Sequence, residues 1–226
     1  MGTLYLVRHG QASFGAADYD QLSPLGQQQC ERLGQYWHGH GERFDAVLIG
    51  SLRRHRQSLA GIAAGLPGLP KEEVWPGLDE YDPQALVQAI HPAPLPPATT
   101  PEGRRQHFRL LQDGLLAWMS GASQPQGLPP HAEFVAGVMG ALDRVRALAG
   151  GQDAARVLIV SSGGPISMAV GAVLEASAAA TVALNMRLRN SAITEMAVSP
   201  RRHALVSFNG LPHLDTPALR AWHSHA

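Results

Sequence analysis

The feature that most constrains the fold is an apolar run over residues 4–7 that ends abruptly in Arg8-His9-Gly10. Such a run favours a β-strand, and the reactive groups of an open α/β sheet lie just past the carboxyl ends of its strands. Gly10 lets the chain turn sharply there and lets a ligand approach the backbone. A neutral imidazole can attack phosphorus while a guanidinium holds the anionic oxygens, so Arg8 and His9 suit phosphoryl transfer. The alternative is that Arg8 and His9 are simply two solvated residues at a strand edge. The motifs in the rest of the chain distinguish these two interpretations.

The length and charge of the chain narrow the class of protein. A chain of 226 residues can form one α/β domain with a sizeable core. Its 18 basic and 18 acidic residues balance, which gives no sign of a surface for nucleic acid or membrane. The single cysteine, Cys30, cannot form an intrachain disulfide and favours a reducing compartment. The first strand begins almost at Met1 and no apolar run has transmembrane length, so we expect a cytoplasmic protein. A homo-oligomer remains open.

Strands and helices alternate along much of the sequence. Ser23-Pro24 is typical of a helix N-cap followed by proline in the first turn. Residues 46–49 form a buried type of strand that runs into a second helix, and residues 156–160 form another strand before a glycine turn. A strand–helix–strand pattern predicts an α/β fold with a parallel pair of strands. Residues 191–198 and 204–208 predict an antiparallel hairpin.

The alternation stops between about residue 82 and residue 128. This stretch contains the proline-rich residues 91–97 and then Thr100-Pro101-Glu102, which starts a helix. We interpret residues 82–128 as a helical cap inserted into a single domain of residues 1–226. The helix carries Arg104 and Arg105, which could grip an anionic substrate. A solvated helix face is the alternative explanation for these arginines.

Two further segments bring polar chemistry to the predicted sheet. Asp79, Glu80 and Asp82 place three carboxylates within four residues, and any of them could donate a proton. Ser162 and Gly163 follow the strand at residues 156–160 and begin a helix. Backbone N–H groups at the start of a helix bind anions, so this turn is a candidate phosphate site.

In their order and spacing, these motifs resemble those of the histidine phosphatase (phosphoglycerate-mutase-like) superfamily. Arg8-His9-Gly10 matches its first motif, and residues 20–26 look like its Asp-x-Leu-Thr/Ser-x-x-Gly. Residues 52–58 are similar to Leu-x-Arg-Ala-x-Gln-Thr, residues 78–80 to Leu-x-Glu, and residues 157–166 to its last motif strand. The resemblance covers nearly the whole chain. It implies a three-layer α/β/α sandwich with a mostly parallel sheet and an inserted helical cap.

The resemblance also implies roles for particular residues. His9 is the nucleophile and carries a phosphohistidine, while Arg8 and Arg54 spread the charge of the phosphoryl oxygens. Glu80 falls on the general acid, with the other two carboxylates of its cluster left open. No cofactor is implied, and the paired histidines near residues 38–40 and 223–225 lack further ligands, so we expect no metal site.

The sequence departs from the family pattern at two positions. Ser162 stands where the family normally has a second histidine, although one branch resembles this chain in having Ser-Gly-Gly-Pro-Ile there. A serine donates one hydrogen bond but supplies no cation, and losing such a donor lowers a rate about 10²–10³-fold if nothing replaces it. His213 could enter the site from the C-terminal segment. The asparagine that often follows Arg-His-Gly is missing, with Gly15 nearest its place, and Ser13 in the same loop is a further substrate candidate.

The sequence therefore predicts a phosphatase that hydrolyses small phosphate monoesters, with a small phosphorylated molecule as its partner and neither nucleic acid nor membrane. A phosphoglycerate-mutase-type enzyme and a non-catalytic phospholigand-binding protein remain alternatives. Mutases of the superfamily typically have a longer insertion and the second histidine, which favours hydrolysis here. A binding protein would have little need of both a nucleophile and an acid. Cys30 has no arginine six residues on, which makes a cysteine phosphatase improbable.

Overall fold

The computed structural model describes residues 1–13, 20–93, 95, 100–150 and 155–225. The strands in these ranges are β1 (Gly2–Arg8), β2 (Ala46–Ile49), β3 (Glu72–Val74), β4 (Arg156–Ser161), β5 (Ile193–Val198) and β6 (His203–Gly210). The α-helices are α1 (Pro24–Gly39), α2 (Arg53–Gly65), α3 (Pro83–Ile90), α4 (Pro101–Met119), α5 (His131–Gly150), α6 (Gly163–Val173) and α7 (Ala178–Asn185). Short 3-10 helices occupy Pro76–Leu78, Pro212–Leu214 and Pro217–Trp222.

The strands form one mixed sheet in the order β3-β2-β4-β1-β5-β6. The neighbours from β3 to β1 are parallel, whereas β5 is antiparallel to both β1 and β6. The predicted mostly parallel sheet and the final hairpin are therefore confirmed. The expected pairing of β1 with β2 is wrong in detail, because β4 lies between them and pairs with both. The apolar β4 suits this central place, since it is covered on both faces.

Helices cover both faces of the sheet, as a three-layer sandwich requires. Leu4 and Leu6 of β1 point to a core shared with α5 and α6, while Tyr5 and Val7 point to a core shared with α1 and α2. Successive side chains of a strand alternate between faces. The continuous apolar run before Arg8 is thus explained by burial on both sides.

The predicted helix starts are confirmed where the structure describes them. Ser23 caps α1 and accepts from the Gly26 N–H at 3.1 Å, and Thr100 caps α4 and accepts from the Gly103 N–H at 3.0 Å. Because capping fixes the first turn, it also fixes where the preceding loop must end.

The stretch of residues 82–128 contains two helices, of which α3 was not expected. Asp82 caps α3 and accepts from the Gln84 N–H at 2.7 Å. Leu115 and Trp118 of α4 pack against Tyr81 and against α7, which attaches the stretch to the chain just after Glu80. Part of the proline-rich segment lies outside the described residues. In the described part of the chain, no helix is long and apolar enough to cross a membrane.

Candidate active site

The carboxyl ends of β1, β4 and β2 lie side by side at one edge of the sheet. Arg8 is in register with Ser161, and the His9 N–H donates to the Ser161 carbonyl at 2.8 Å. On the other side of β4, the Gly50 N–H donates to the Val160 carbonyl at 3.2 Å. The residues that follow these three strands therefore surround one place.

His9 is buried at this edge and is held in one tautomer. Its Nδ1 lies 2.7 Å from the Gly10 carbonyl oxygen. Because a carbonyl can only accept, Nδ1 carries the proton and Nε2 keeps its lone pair. Burial, followed by the charges of Arg8 and Arg54, holds the pKa of His9 well below its usual range. His9 is therefore a neutral imidazole with a fixed orientation.

The turn after His9 is packed too closely for any residue other than glycine. A Cβ atom on Gly10 would lie 2.3 Å from the Gly26 carbonyl oxygen and 2.9 Å from the Cys30 sulfur. The Gly10 N–H donates to Ser58 Oγ at 3.1 Å, which ties the turn to α2. Burial raises the pKa of Cys30 to about 11, so this thiol is not a nucleophile at neutral pH.

Two buried guanidinium groups face His9 from different elements. Arg8 donates to the Leu188 carbonyl oxygen, and Arg54 donates to Asp20 Oδ1 at 2.9 Å. Asp20 also accepts from the Arg53 N–H at 2.8 Å at the start of α2. The Asp20 carboxylate thus fixes both the helix end and the arginine that the helix carries.

Glu80 reaches the same place from the loop after the 3-10 helix Pro76–Leu78. Its carboxylate oxygens lie 3.0 and 3.2 Å from the Gly164 N–H at the start of α6. Burial of this carboxyl raises the pKa of Glu80, although Arg54 and the Gly164 N–H oppose the shift. A Cβ atom on Gly164 would lie 2.1 Å from Glu80 Oε1 and 2.5 Å from the Tyr81 ring. Glycine at position 164 therefore makes room for the acid.

The other two carboxylates of the cluster have different surroundings. Asp79 accepts from the N–H and the hydroxyl of Ser51, both at 2.5 Å. Burial alone would raise the pKa of Asp79, but the neighbouring His55 imidazole and the hydrogen bonds from Ser51 outweigh burial and lower it. Asp82 is exposed and caps α3. Between Asp79 and Glu80, it is Glu80 whose surroundings favour the protonated form.

Ser162 and Gly163 lie at the junction of β4 and α6. Ser162 is fully buried and is the N-cap of α6. A Cβ atom on Gly163 would lie 3.7 Å from Glu80 Oε2 and 3.8 Å from Arg8 Nε. The start of α6 is therefore adjacent to both the acid and one guanidinium, where its N–H groups add positive potential.

A buried histidine that was not predicted as a site residue lies beside Ser162. His55 Nε2 is 2.7 Å from Ser162 Oγ, and the rings of His55 and His9 are 6.0 Å apart. The sequence contained a signal for it, because His55 stands where the motif of residues 52–58 has alanine.

Ser13, Arg104 and Arg105 are the remaining residues that were predicted to contact a substrate. The Ser13 N–H donates to the Gln21 carbonyl at 2.8 Å, and Gly15 lies outside the described residues. Arg104 and Arg105 are exposed on α4, and Arg105 pairs with Glu102 at 2.5 Å.

His213 is buried next to the backbone of His9 and Ser191. Its Nε2 lies 2.9 Å from Ser191 Oγ, and the Ser191 N–H donates to the His9 carbonyl at 3.2 Å. Burial lowers the pKa of His213 to about 3. In this position His213 supports the backbone that follows β1.

Within the described residues, no group of three or more His, Cys, Asp or Glu side chains is placed to hold a metal ion.

Comparison with solved structures shows the same fold in several phosphoryl-transfer enzymes. A phosphoserine phosphatase from Entamoeba histolytica is 21% identical with a TM-score of 0.60, covering 95% of this chain and 100% of that one. A mycobacterial glucosyl-3-phosphoglycerate phosphatase is 19% identical with a TM-score of 0.65, covering 93% and 99%. A phosphoglycerate mutase from Bacillus anthracis is 15% identical with a TM-score of 0.64, covering 94% of each chain.

The family model is more specific than these fold similarities. No curated protein matches the sequence significantly. The model of the histidine phosphatase superfamily (branch 1), however, matches residues 4–210. That range contains His9, Arg54, Glu80 and Ser162, and it extends from β1 to the end of β6. The chain therefore belongs to the histidine phosphatase superfamily, a family of phosphatases and phosphomutases.

Proposed function

We propose that this protein is a phosphatase that hydrolyses small phosphate monoesters through a phosphohistidine on His9. The observation that carries the proposal is the neutral, single-tautomer imidazole of His9 between two fixed guanidinium groups. A nucleophile of this kind needs no deprotonation before it attacks. The arginines supply the positive charge that balances the negative charge of a dianionic ester.

In the first step, His9 Nε2 attacks phosphorus and the P–O bond to the leaving group breaks. Arg8 and Arg54 stabilise the charge that is spread over the three equatorial oxygens. Glu80 in its protonated form gives its proton to the leaving oxygen, and its raised pKa supports that role. The products are an alcohol, phosphohistidine and ionised Glu80.

In the second step, a water molecule attacks phosphorus and the P–N bond breaks. Glu80 takes a proton from this water, which restores the acid, while His9 Nε2 regains its lone pair. The pairing of one nucleophile with one acid–base group supports hydrolysis over mere ligand binding. Transfer to a substrate hydroxyl instead of water would be the mutase reaction.

The proposal includes no metal ion. Positive charge from Arg8, Arg54 and the start of α6 takes the place that metals have in other phosphoryl-transfer sites. We expect activity to survive exhaustive dialysis against a chelator, and vanadate to inhibit by mimicking the five-coordinate state. An activity that a chelator removes and a divalent metal restores would contradict this part.

The decisive experiment traps the intermediate. Enzyme mixed with a radiolabelled phosphomonoester and quenched in base should retain label on the peptide that contains His9, because phosphohistidine is stable to base and labile to acid. His9→Ala should give neither label nor turnover while keeping the circular-dichroism spectrum of the wild type. Label on Cys30 or on a serine would overturn the mechanism. Release of inorganic phosphate, rather than an isomerised ester, separates the phosphatase from the mutase.

A further inference from the structure

A chain of polar groups runs from Ser162 away from the nucleophile. Ser162 Oγ lies 2.7 Å from His55 Nε2, and His55 Nδ1 lies 3.6 Å from Asp79 Oδ1. Ser162 and His55 are completely buried, whereas the Asp79 side chain keeps 23% of its exposure. The chain therefore leads from the inside of the site to a carboxylate near solvent.

Three different elements hold these groups in place. His55 projects from the first turn of α2, and Asp79 is fixed by two hydrogen bonds from Ser51. Between them lies Gly50, where a Cβ atom would come within 2.2 Å of His55 Nδ1 and 2.5 Å of Asp79 Oδ1. The end of β2 thus has no side chain at the position where the imidazole faces the carboxylate.

The two nitrogens of His55 are used unequally. Nε2 has the Ser162 hydroxyl as its partner, while Nδ1 is buried without a hydrogen-bond partner among the described residues. A separation of 3.6 Å is too long for a good hydrogen bond but short enough for an ion pair with a carboxylate. The surroundings of Nδ1 therefore become fully favourable only when the imidazole is positively charged.

We propose that Asp79, His55 and Ser162 act as one unit that supplies charge to the transferring phosphoryl group, with Ser162 touching the phosphoryl oxygen and His55 positioning it. The inference rests on the proposed function and deepens it. Ser162 stands where the family pattern has a histidine, and His55 stands where that pattern has alanine. This chain thus has an imidazole on α2 rather than at the end of β4. The Ser162 hydroxyl lies between that imidazole and the proposed phosphate position.

The unit works by taking up one proton when the anion binds. Without an anion, burial and Arg54 lower the pKa of His55 and Asp79 opposes them, so the ring is neutral and Nε2 accepts from the Ser162 hydroxyl. A dianionic phosphoryl group beside the arginines favours a second proton on His55. Nε2–H then donates to Ser162 Oγ, and the Ser162 hydroxyl turns to donate to a phosphoryl oxygen. Solvent supplies the proton, and the N–H bond that it makes on His55 is the only bond formed in this step.

The charges around His55 fit this sequence of events. Asp79 and Asp20 favour its protonated form, whereas burial and Arg54 oppose it. A bound dianion offsets the charge of Arg54, so that Asp79 and Asp20 then raise the pKa of His55. A protonated His55 in turn disfavours protonation of His9, which keeps the nucleophile neutral while the anion is present.

A double-mutant cycle tests whether the residues form a unit. His55→Gln keeps a donor near Ser162 but cannot become charged, and Ser162→Ala removes the link. We expect each variant to lower kcat for p-nitrophenyl phosphate about 10²-fold with a smaller change in KM. The double variant should be no slower than either single variant, because the second change removes nothing further. Arg56→Gln, an exposed change on the same helix, is the control with wild-type activity.

A binding measurement separates this inference from the proposed function, because it needs no turnover. Sulfate stays dianionic across the neutral range, so protons taken up when it binds come to the protein. Titration calorimetry in two buffers of different ionisation enthalpy should show less proton uptake in His55→Gln than in the wild type or in Arg56→Gln. Equal uptake, or multiplicative losses in the double variant, would overturn the unit. Phosphoryl label on Ser162 would overturn both the unit and the His9 mechanism.

Discussion

The candidate site has a nucleophile side, formed by Arg8, His9 and Arg54, and an acid side, formed by Glu80, His55 and Ser162. On the nucleophile side the charge is permanent, since guanidinium groups stay protonated and burial keeps His9 neutral. On the acid side the charge depends on protonation, because burial raises the pKa of Glu80 and lowers that of His55. In the proposed mechanism, one side binds the phosphoryl group with fixed charge and the other side transfers protons.

The difference shows what each side demands of the fold. Fixed charge needs rigid partners, which Asp20 and the Leu188 carbonyl provide for the two arginines. Titratable groups need controlled burial and space, which the glycines at positions 50 and 164 provide. Changes on the nucleophile side should therefore lower the rate at every pH, whereas changes on the acid side should alter how the rate depends on pH and leaving group.

The largest effect is expected on the nucleophile side, from Arg54→Ala. This change removes a buried guanidinium from the transferring group, and kcat/KM should fall about 10²–10³-fold at every pH. Arg53→Ala is the matched control, because Arg53 is the preceding residue on α2 and is exposed. Steady-state kinetics with p-nitrophenyl phosphate at several pH values checks the prediction. Equal losses in the two variants would mean that α2 itself, rather than the buried charge, is responsible.

On the acid side, Glu80→Gln should separate substrates by leaving group. Gln keeps an acceptor for the Gly164 N–H but has no proton to give, so hydrolysis of an alkyl phosphate should slow about 10²-fold. p-Nitrophenyl phosphate should be affected much less, because its leaving group needs little protonation. Asp82→Asn is the control, since asparagine caps a helix as well as aspartate does. The same loss for both substrates would remove Glu80 from the role of general acid.

The pH dependence combines the two sides. His9 must be neutral, and its lowered pKa means that the rate stays high below pH 6.5 and falls only when the pH drops through that lowered value. Glu80 must be protonated for an alkyl ester, so the rate falls as the pH rises through its raised pKa. We therefore expect a bell-shaped profile of kcat/KM with its maximum on the acidic side of neutrality. In Glu80→Gln the alkaline limb should disappear, whereas its persistence would assign that limb to another group.

Much of the nucleophile side could be predicted from the sequence, because its residues adjoin their elements along the chain. His9 follows a strand that is apolar on both faces, and the helix that carries Arg54 directly follows the strand Ala46–Ile49. The acid side depends on distant contacts. His55 contacts Ser162 although 107 positions separate them in the sequence. The only sequence sign of this contact is that His55 stands where the motif of residues 52–58 has alanine.

The start of α3 was not predicted, although the sequence contains a signal for it. Asp82-Pro83 has the form of an N-cap followed by proline, which predicts the start of α3. Asp82 belongs by sequence to the cluster of three acids, but its carboxylate accepts from the Gln84 N–H and so has a structural role. Burial separates the three acids, and burial cannot be deduced from their spacing.

A smaller effect is expected from the arginines of α4. Arg105 is exposed and already pairs with Glu102, and an exposed pair of this kind contributes little to stability. If residues 82–128 select the substrate, Arg104→Ala and Arg105→Ala should raise KM for phosphomonoesters with an anionic leaving group more than for those with an uncharged one, with kcat nearly unchanged. Kinetics across such a panel checks this. Uniform values would make these arginines part of a solvated helix face.

The smallest effect on activity is expected for His213→Gln, although this change should alter stability. Burial holds the pKa of His213 at about 3, against about 6.5 in an unfolded chain. The unfolded state therefore binds a proton that the folded state refuses, so this residue destabilises the fold as the pH falls below 6.5. Between pH 7 and pH 5, urea unfolding of the wild type should lose about 2 kcal/mol more than the variant does. Gln can still bond Ser191, so turnover should be preserved; a loss of kcat comparable to that of Arg54→Ala would instead place His213 in the reaction.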